Sequence, residues 1–128
     1  MPKIFQHKSF APDDLIGQID EKTGKVYKPR LGPDKIIGRV DLETGKVYRT
    51  QVGLDEYLGQ VDLSSGKVYK HHLGPDEYVG RVDEAGDLYL HIPLGPDKYI
   101  GKVTEMQSRS EGGAAILLFF MDRENNAE

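Results

Sequence analysis

Gly17, Gly38, Gly59, Gly80 and Gly101 stand 21 residues apart, each preceded by two apolar residues and followed by a polar and a β-branched one. A fixed period of this length is the mark of one supersecondary unit copied side by side. Whatever the chain does, its fold must be built from those copies. In register the copies read LIGQIDEKTGKVYKPRLGPDK, IIGRVDLETGKVYRTQVGLDE, YLGQVDLSSGKVYKHHLGPDE and YVGRVDEAGDLYLHIPLGPDK, followed by the start of a fifth, YIGKVTEM.

Each copy holds two short runs and two kinds of turn. The outgoing run, such as Tyr57 to Asp62, has the β-branched and aromatic content of a strand. Its return is Lys67-Val68-Tyr69-Lys70, reached through Leu63-Ser64-Ser65-Gly66, where glycine supplies the left-handed residue that such a hairpin loop needs. The other junction, Leu-Gly-Pro-Asp, sets Pro33, Pro75 and Pro96 where a tight turn wants a fixed φ. The loop length places Val61 opposite Val68 and Asp62 opposite Lys67, and the same register predicts Asp–Lys pairs at Asp20 and Lys25 and at Asp41 and Lys46, but not in the fourth copy, where Asp87 replaces the Lys. Strict alternation puts Tyr57, Gly59 and Val61 on one, buried face. A glycine kept inside every outgoing strand predicts close backbone approach or an aromatic ring lying across it.

The chain begins and ends out of phase with its repeat. Ile4 to Asp13 aligns without a gap to Leu88 to Asp97, so the start is a lone return strand, and the fifth outgoing strand from Tyr99 has no return of its own. Pairing these halves removes two exposed edges. The expectation is therefore an all-β repeat protein of five hairpin units of about 21 residues, closed into a small barrel or pinwheel by its terminal half-repeats. It forms a single domain over residues 1–121, with a half repeat at 3–13, repeats at 15–35, 36–56, 57–77 and 78–98, and a partial fifth from 99. The apolar segment 114–121 interrupts the pattern. Its length and the preceding Gly112-Gly113 favour a strand, which fills the core or else offers Ile116, Leu118 and Phe120 to a partner. A polar tail follows at 122–128.

Composition narrows function mainly by exclusion. Seventeen Lys and Arg against 21 Asp and Glu alternate along the chain rather than forming blocks, which steers it towards neither nucleic acid nor an anionic membrane. There is no cysteine, and MPKIFQHKSF lacks the apolar stretch of a secretory signal, so a cytoplasmic address is expected. No nucleophile, phosphate loop or metal-ligand spacing stands out, and His7, His71, His72 and His91 form no ligand motif. No catalytic residue, metal or cofactor is expected. The reading is a binding or scaffold module, not an enzyme, acting through protein contacts or self-association. The alternative is carbohydrate or small-ligand binding through Tyr27, Tyr48, Tyr69 and Tyr89, which recur on the return strands and offer flat apolar faces with a hydroxyl handle. In unit length and aromatic content the copies are similar to the hairpin repeats of cell-wall-binding and lectin-like proteins. The tryptophan signature of choline-binding repeats is absent, since the chain has no Trp.

Overall fold

Every Gly-centred run and every GKVY-type return becomes a strand in the computed structural model, which describes residues 1–121. The tail expected over 122–128 lies outside the described residues. The strands are β1 (Lys3–Gln6), β2 (Asp14–Ile19), β3 (Lys25–Lys28), β4 (Lys35–Val40), β5 (Lys46–Arg49), β6 (Glu56–Val61), β7 (Lys67–Lys70), β8 (Glu77–Val82), β9 (Asp87–Leu90) and β10 (Lys98–Thr104). All pair antiparallel with their sequence neighbours, and β1 pairs with β10 to close a barrel. The closing register sets Ile4 opposite Val103 and Phe5 opposite Lys102, and His7 N–H donates to Ile100 O at 2.9 Å. The two half-units thus complete one another, leaving no open edge in the sheet.

One inward residue per strand forms a continuous ring: Ile4, Ile19, Val26, Val40, Val47, Val61, Val68, Val82, Leu88 and Val103, all buried. Nine of these ten are β-branched, and their stiff side chains pack well on a pleated wall. The hairpin register is the expected one, with Val61 opposite Val68.

The alternation fails at one point in each unit. On the side facing the preceding return strand, Val47 opposes Gly59 and Tyr48 opposes Tyr57, so Leu58 is an extra residue. The same slip occurs at Ile16, Ile37, Val79 and Ile100. A bulge of this kind bends and twists its strand, and five of them curve the sheet towards closure. Tyr57 therefore does not share the buried face of Gly59 and Val61, as strict alternation predicts. It lies on the outer wall, and Leu58 turns inward to pack against the core.

The glycines at these bulges meet both expected demands. A Cβ at Gly38, Gly59, Gly80 or Gly101 would collide with the backbone carbonyl of Tyr48, Tyr69, Tyr89 or Phe5 on the adjacent strand. It would also fall 2.8 Å from Leu118 Cδ1 at Gly38 and 3.1 Å from Leu117 Cδ1 at Gly59, while at Gly17 it would meet the Phe119 ring. The inner wall is bare where the filling needs room.

That filling corrects the strand expected over 114–121. Arg109–Ala115 is helix α1, continued by a π-helical turn over Ile116–Phe120, and the pair runs through the barrel. A closed barrel offers no sheet edge to an eleventh strand, whereas a helix satisfies its own backbone donors and acceptors. Ile116 and Leu118 are fully enclosed and Phe120 is half-buried. Of the two readings of this segment, filling the core is the one observed, with Ile116 and Leu118 inside the barrel and Phe120 at its margin. Gly112 and Gly113 admit α1 to its narrow part, since a Cβ at either would stand 2.8 Å from Val82 Cβ or 2.6 Å from Val61 Cγ1. No helix among the described residues is long and apolar enough to cross a membrane.

Ser108 caps α1, accepting from Ser110 N–H at 3.1 Å, and Glu111 Oε1 accepts from Gln107 N–H at 2.6 Å and Ser108 N–H at 3.2 Å. Arg109 binds the plug to the hairpin loops, donating to Ser64 O at 2.6 Å and Leu63 O at 3.3 Å. Glu111 itself is buried, and among the described residues no donor reaches its Oε2. Burial raises its carboxyl above the ordinary value, against the lowering effect of the two N–H donors. A raised acid in the folded state is a stability contribution lost as pH climbs from the unfolded value through the folded one. Glu111→Gln keeps the accepting oxygen and removes the charge. The variant is expected to be more stable than the parent at pH 7, with the advantage shrinking as pH falls into the ordinary carboxylate range. Thermal melts across that range read both.

Candidate functional site

The topology gives the barrel two unlike rims. Hairpin loops β2–β3, β4–β5, β6–β7 and β8–β9 crowd one end, where Arg109 and the α1 cap enter. Asp20, Asp41 and Asp62 do not form the expected pairs with Lys25, Lys46 and Lys67 there. Each carboxylate turns back into its own loop, accepting from Lys22 N–H, Glu43 N–H and Ser64 N–H at 2.9 Å. These donors, led by the two N–H groups for Asp20 and Asp41 and by the Ser64 hydroxyl for Asp62, hold the carboxyls below their usual range. Geometry favours the loop donors because an exposed Asp–Lys pair contributes little.

The five connecting loops occupy the other end. Each carries a large apolar side chain at the same repeat position, directed away from the body: Phe10 at 102% exposure, Leu31 at 100%, Val52 at 105%, Leu73 at 98% and Leu94 at 108%. Gly32, Gly53 and Gly74 take positive φ beside three of these tips. In the β9–β10 loop Leu94 itself has φ 64°, a backbone state that a bulky residue adopts only at a cost. Within this rim, Arg49, Glu56, Tyr57, His71, Leu117 and Met121 line a pocket of about 200 Å³.

Aromatic residues gather on the outer wall. Tyr27, Tyr48, Tyr69 and Tyr89 all face outward and are half-buried, each on its own return strand. The structure does not bring the four together. It joins three of them to partners that strict alternation had hidden, across the bulges: Tyr48 to Tyr57 at 5.6 Å between ring centroids, Tyr69 to Tyr78 at 5.9 Å and Tyr89 to Tyr99 at 5.7 Å. Histidines from the following loop extend each pair, His71 on Tyr57 at 5.0 Å, His91 on Tyr78 at 4.7 Å and His7 on Tyr99 at 4.9 Å. Tyr27 opposes Ile36 instead, so the aromatic band covers only three consecutive units. Burial raises the Tyr57, Tyr78 and Tyr99 phenols above their usual range.

The loop carboxylates brace these histidines: His7 Nδ1 lies 3.3 Å from Asp13 Oδ1, His71 Nδ1 3.3 Å from Asp76 Oδ1 and His91 Nδ1 3.4 Å from Asp97 Oδ1. Polar residues of the outgoing strands reach equivalent acids. Gln18 Nε2 donates to Asp34 Oδ2 at 2.8 Å, Arg39 Nε to Asp55 Oδ2 at 2.9 Å and Arg81 Nε to Asp97 Oδ2 at 3.0 Å. The Arg39 guanidinium carbon sits 4.1 Å from the Tyr48 centroid, and that of Arg81 sits 4.0 Å from Tyr89. Among the described residues no three His, Asp or Glu side chains gather as a metal centre requires.

Neither the apolar tips nor the Tyr57, Tyr78 and Tyr99 partners stand out in the sequence reading. The tips had a usable signal, an apolar residue at a 21-residue spacing inside a loop. No protein-family model, no curated protein and no solved structure matches this chain.

Proposed function

We propose that the chain is a non-enzymatic binding module that engages a protein partner through its connecting-loop rim, with the plugged barrel as a rigid support. The observation that carries this reading is the ring of fully exposed tips Phe10, Leu31, Val52, Leu73 and Leu94. Single exposed apolar residues are ordinary on a surface, but five at equivalent positions on one rim are not. Leu94 adds weight, because neither packing nor backbone preference would keep a leucine there. The flanking charges are mixed, as in Arg30 and Asp34 or Lys98 and Asp97, which suits a protein surface better than an anionic bilayer.

A photo-crosslinking residue at Leu73 is expected to give discrete protein adducts in cells of the source. They should disappear when Phe10, Leu31, Val52 and Leu94 are changed to Ser. An adduct of twice the chain mass identifies a second copy as the partner. The same adducts from a probe at Lys22, on the opposite rim and away from the Tyr69 cleft, or none from Leu73, would contradict the reading.

The second reading, a small ligand held by the tyrosines, has support at one place. Guanidinium groups already lie on Tyr48 and Tyr89, whereas Tyr69 opens into a cleft of about 500 Å³.

A further inference from the structure

Internal symmetry supplies a template for what that cleft takes. In two units the chain seats its own arginine on the return-strand tyrosine and ties it to the acid of the next loop: Arg39 on Tyr48 with Asp55, and Arg81 on Tyr89 with Asp97. Between them, the equivalent residues are Gln60, Tyr69 and Asp76. Gln60 is shorter and turns away, its Nε2 donating to Thr44 O at 3.0 Å. The space an arginine fills next door is here a cleft bounded by Thr44, Gln60, Asp62, Tyr69 and Asp76. Asp76 Oδ1 meets His71 just as Asp97 Oδ1 meets His91, but among the described residues the arginine that Asp97 Oδ2 receives has no counterpart at Asp76. The Asp76 side chain is correspondingly more exposed, at 39% against 22% for Asp97.

We propose that the cleft over Tyr69 is a guanidinium site, taking an arginine side chain of a partner protein face-on to the Tyr69 ring with an N–H directed at Asp76 Oδ2. The planar, weakly hydrated guanidinium suits both contacts at once, whereas an ammonium satisfies only one well. Lys46 opposite Gln60 is no obstacle, since Lys67 stands opposite Arg81 in the same register. Among the described residues no cationic side chain lines the cleft to receive the α-carboxylate of a free amino acid, so an arginine within a peptide suits it better. This site lies on the wall, bordered by Leu63 and Ser64 of the β6–β7 loop, and does not depend on the connecting-loop rim.

The test is a chemical-shift titration of ¹⁵N-labelled protein with N-acetyl-arginine methylamide, the matching lysine compound and free arginine. The arginine amide is expected to shift Thr44, Gln60, Tyr69 and Asp76 saturably in the millimolar range, and the lysine compound several-fold more weakly. Gln60→Arg should place an internal guanidinium in the cleft and abolish the response while keeping a dispersed spectrum, as Arg39 and Arg81 already do in place. Asp76→Asn should weaken binding several-fold without filling the cleft. Stronger binding of the amide than of free arginine supports a protein side chain as the source. Equal binding keeps the guanidinium site but overturns that source. No localised shift, an undiminished response in Gln60→Arg, or equal response to the lysine compound overturns the site itself.

Discussion

Ending the chain at Gln107 is expected to abolish cooperative unfolding. The truncated barrel would keep all ten strands but lose Ala114, Ala115, Ile116, Leu117, Leu118 and Phe119, every one of them buried. Truncating a single enclosed Leu, Ile or Phe to Ala costs about 2 to 5 kcal/mol. Several such losses together exceed the roughly 5 to 15 kcal/mol that hold an ordinary domain folded. The inner ring alone cannot compensate, because valine and isoleucine side chains do not meet across the space that the plug occupies. Differential scanning calorimetry should show no sharp transition, and near-UV circular dichroism of the tyrosines should collapse. Leu118→Ala grades the effect, with an expected loss of about 3 kcal/mol. A truncated chain melting within a few degrees of the parent would mean that the strands stand without the plug.

Gly59→Val carries the second large effect, expected at about 3 kcal/mol. The added side chain would enter the space of the Tyr69 carbonyl and crowd Leu117. Overpacking usually costs about 1 to 3 kcal/mol because neighbours shift, but a ladder carbonyl held by the sheet yields less than a side chain would. The gain in strand propensity, at most about 1 kcal/mol, acts in the opposite direction and does not cover the clash. Urea unfolding measures the balance. An unchanged or higher midpoint would show that the wall is looser at the bulge than its geometry implies.

How much of this was legible in the chain depends on what each feature obeys. The repeat, the hairpin register and the ring closure follow from local rules and from two complementary half-units, so Val61 meets Val68 and Ile4 meets Val103 as the alignment requires. The bulges were not legible, because Tyr57-Leu58-Gly59-Gln60-Val61 also fits a plain period of two. Only barrel curvature decides that Leu58 turns in and Tyr57 out. The plug left a sign, Ser108 followed by Glu111, which marks a helix start. A short apolar run reads equally as strand or helix until closure removes the edge on which a further strand would pair. For the candidate sites, the Tyr27, Tyr48, Tyr69 and Tyr89 series was visible by spacing. Its inequality was not, since only the folded wall lays Arg39 and Arg81 on the neighbouring tyrosines and leaves Gln60 turned away from Tyr69.

The central claim is that ten strands close on themselves around a helix from the same chain. It is tested most directly by interstrand nuclear Overhauser contacts in the intact protein. The account predicts backbone contacts between residues 3–6 and 101–104, with Ile4 against Val103, together with side-chain contacts from Leu118 to the Gly38 strand and from Phe119 to Gly17. Residues 3–6 touching only β2, or strand-type contacts along 114–120, would contradict it.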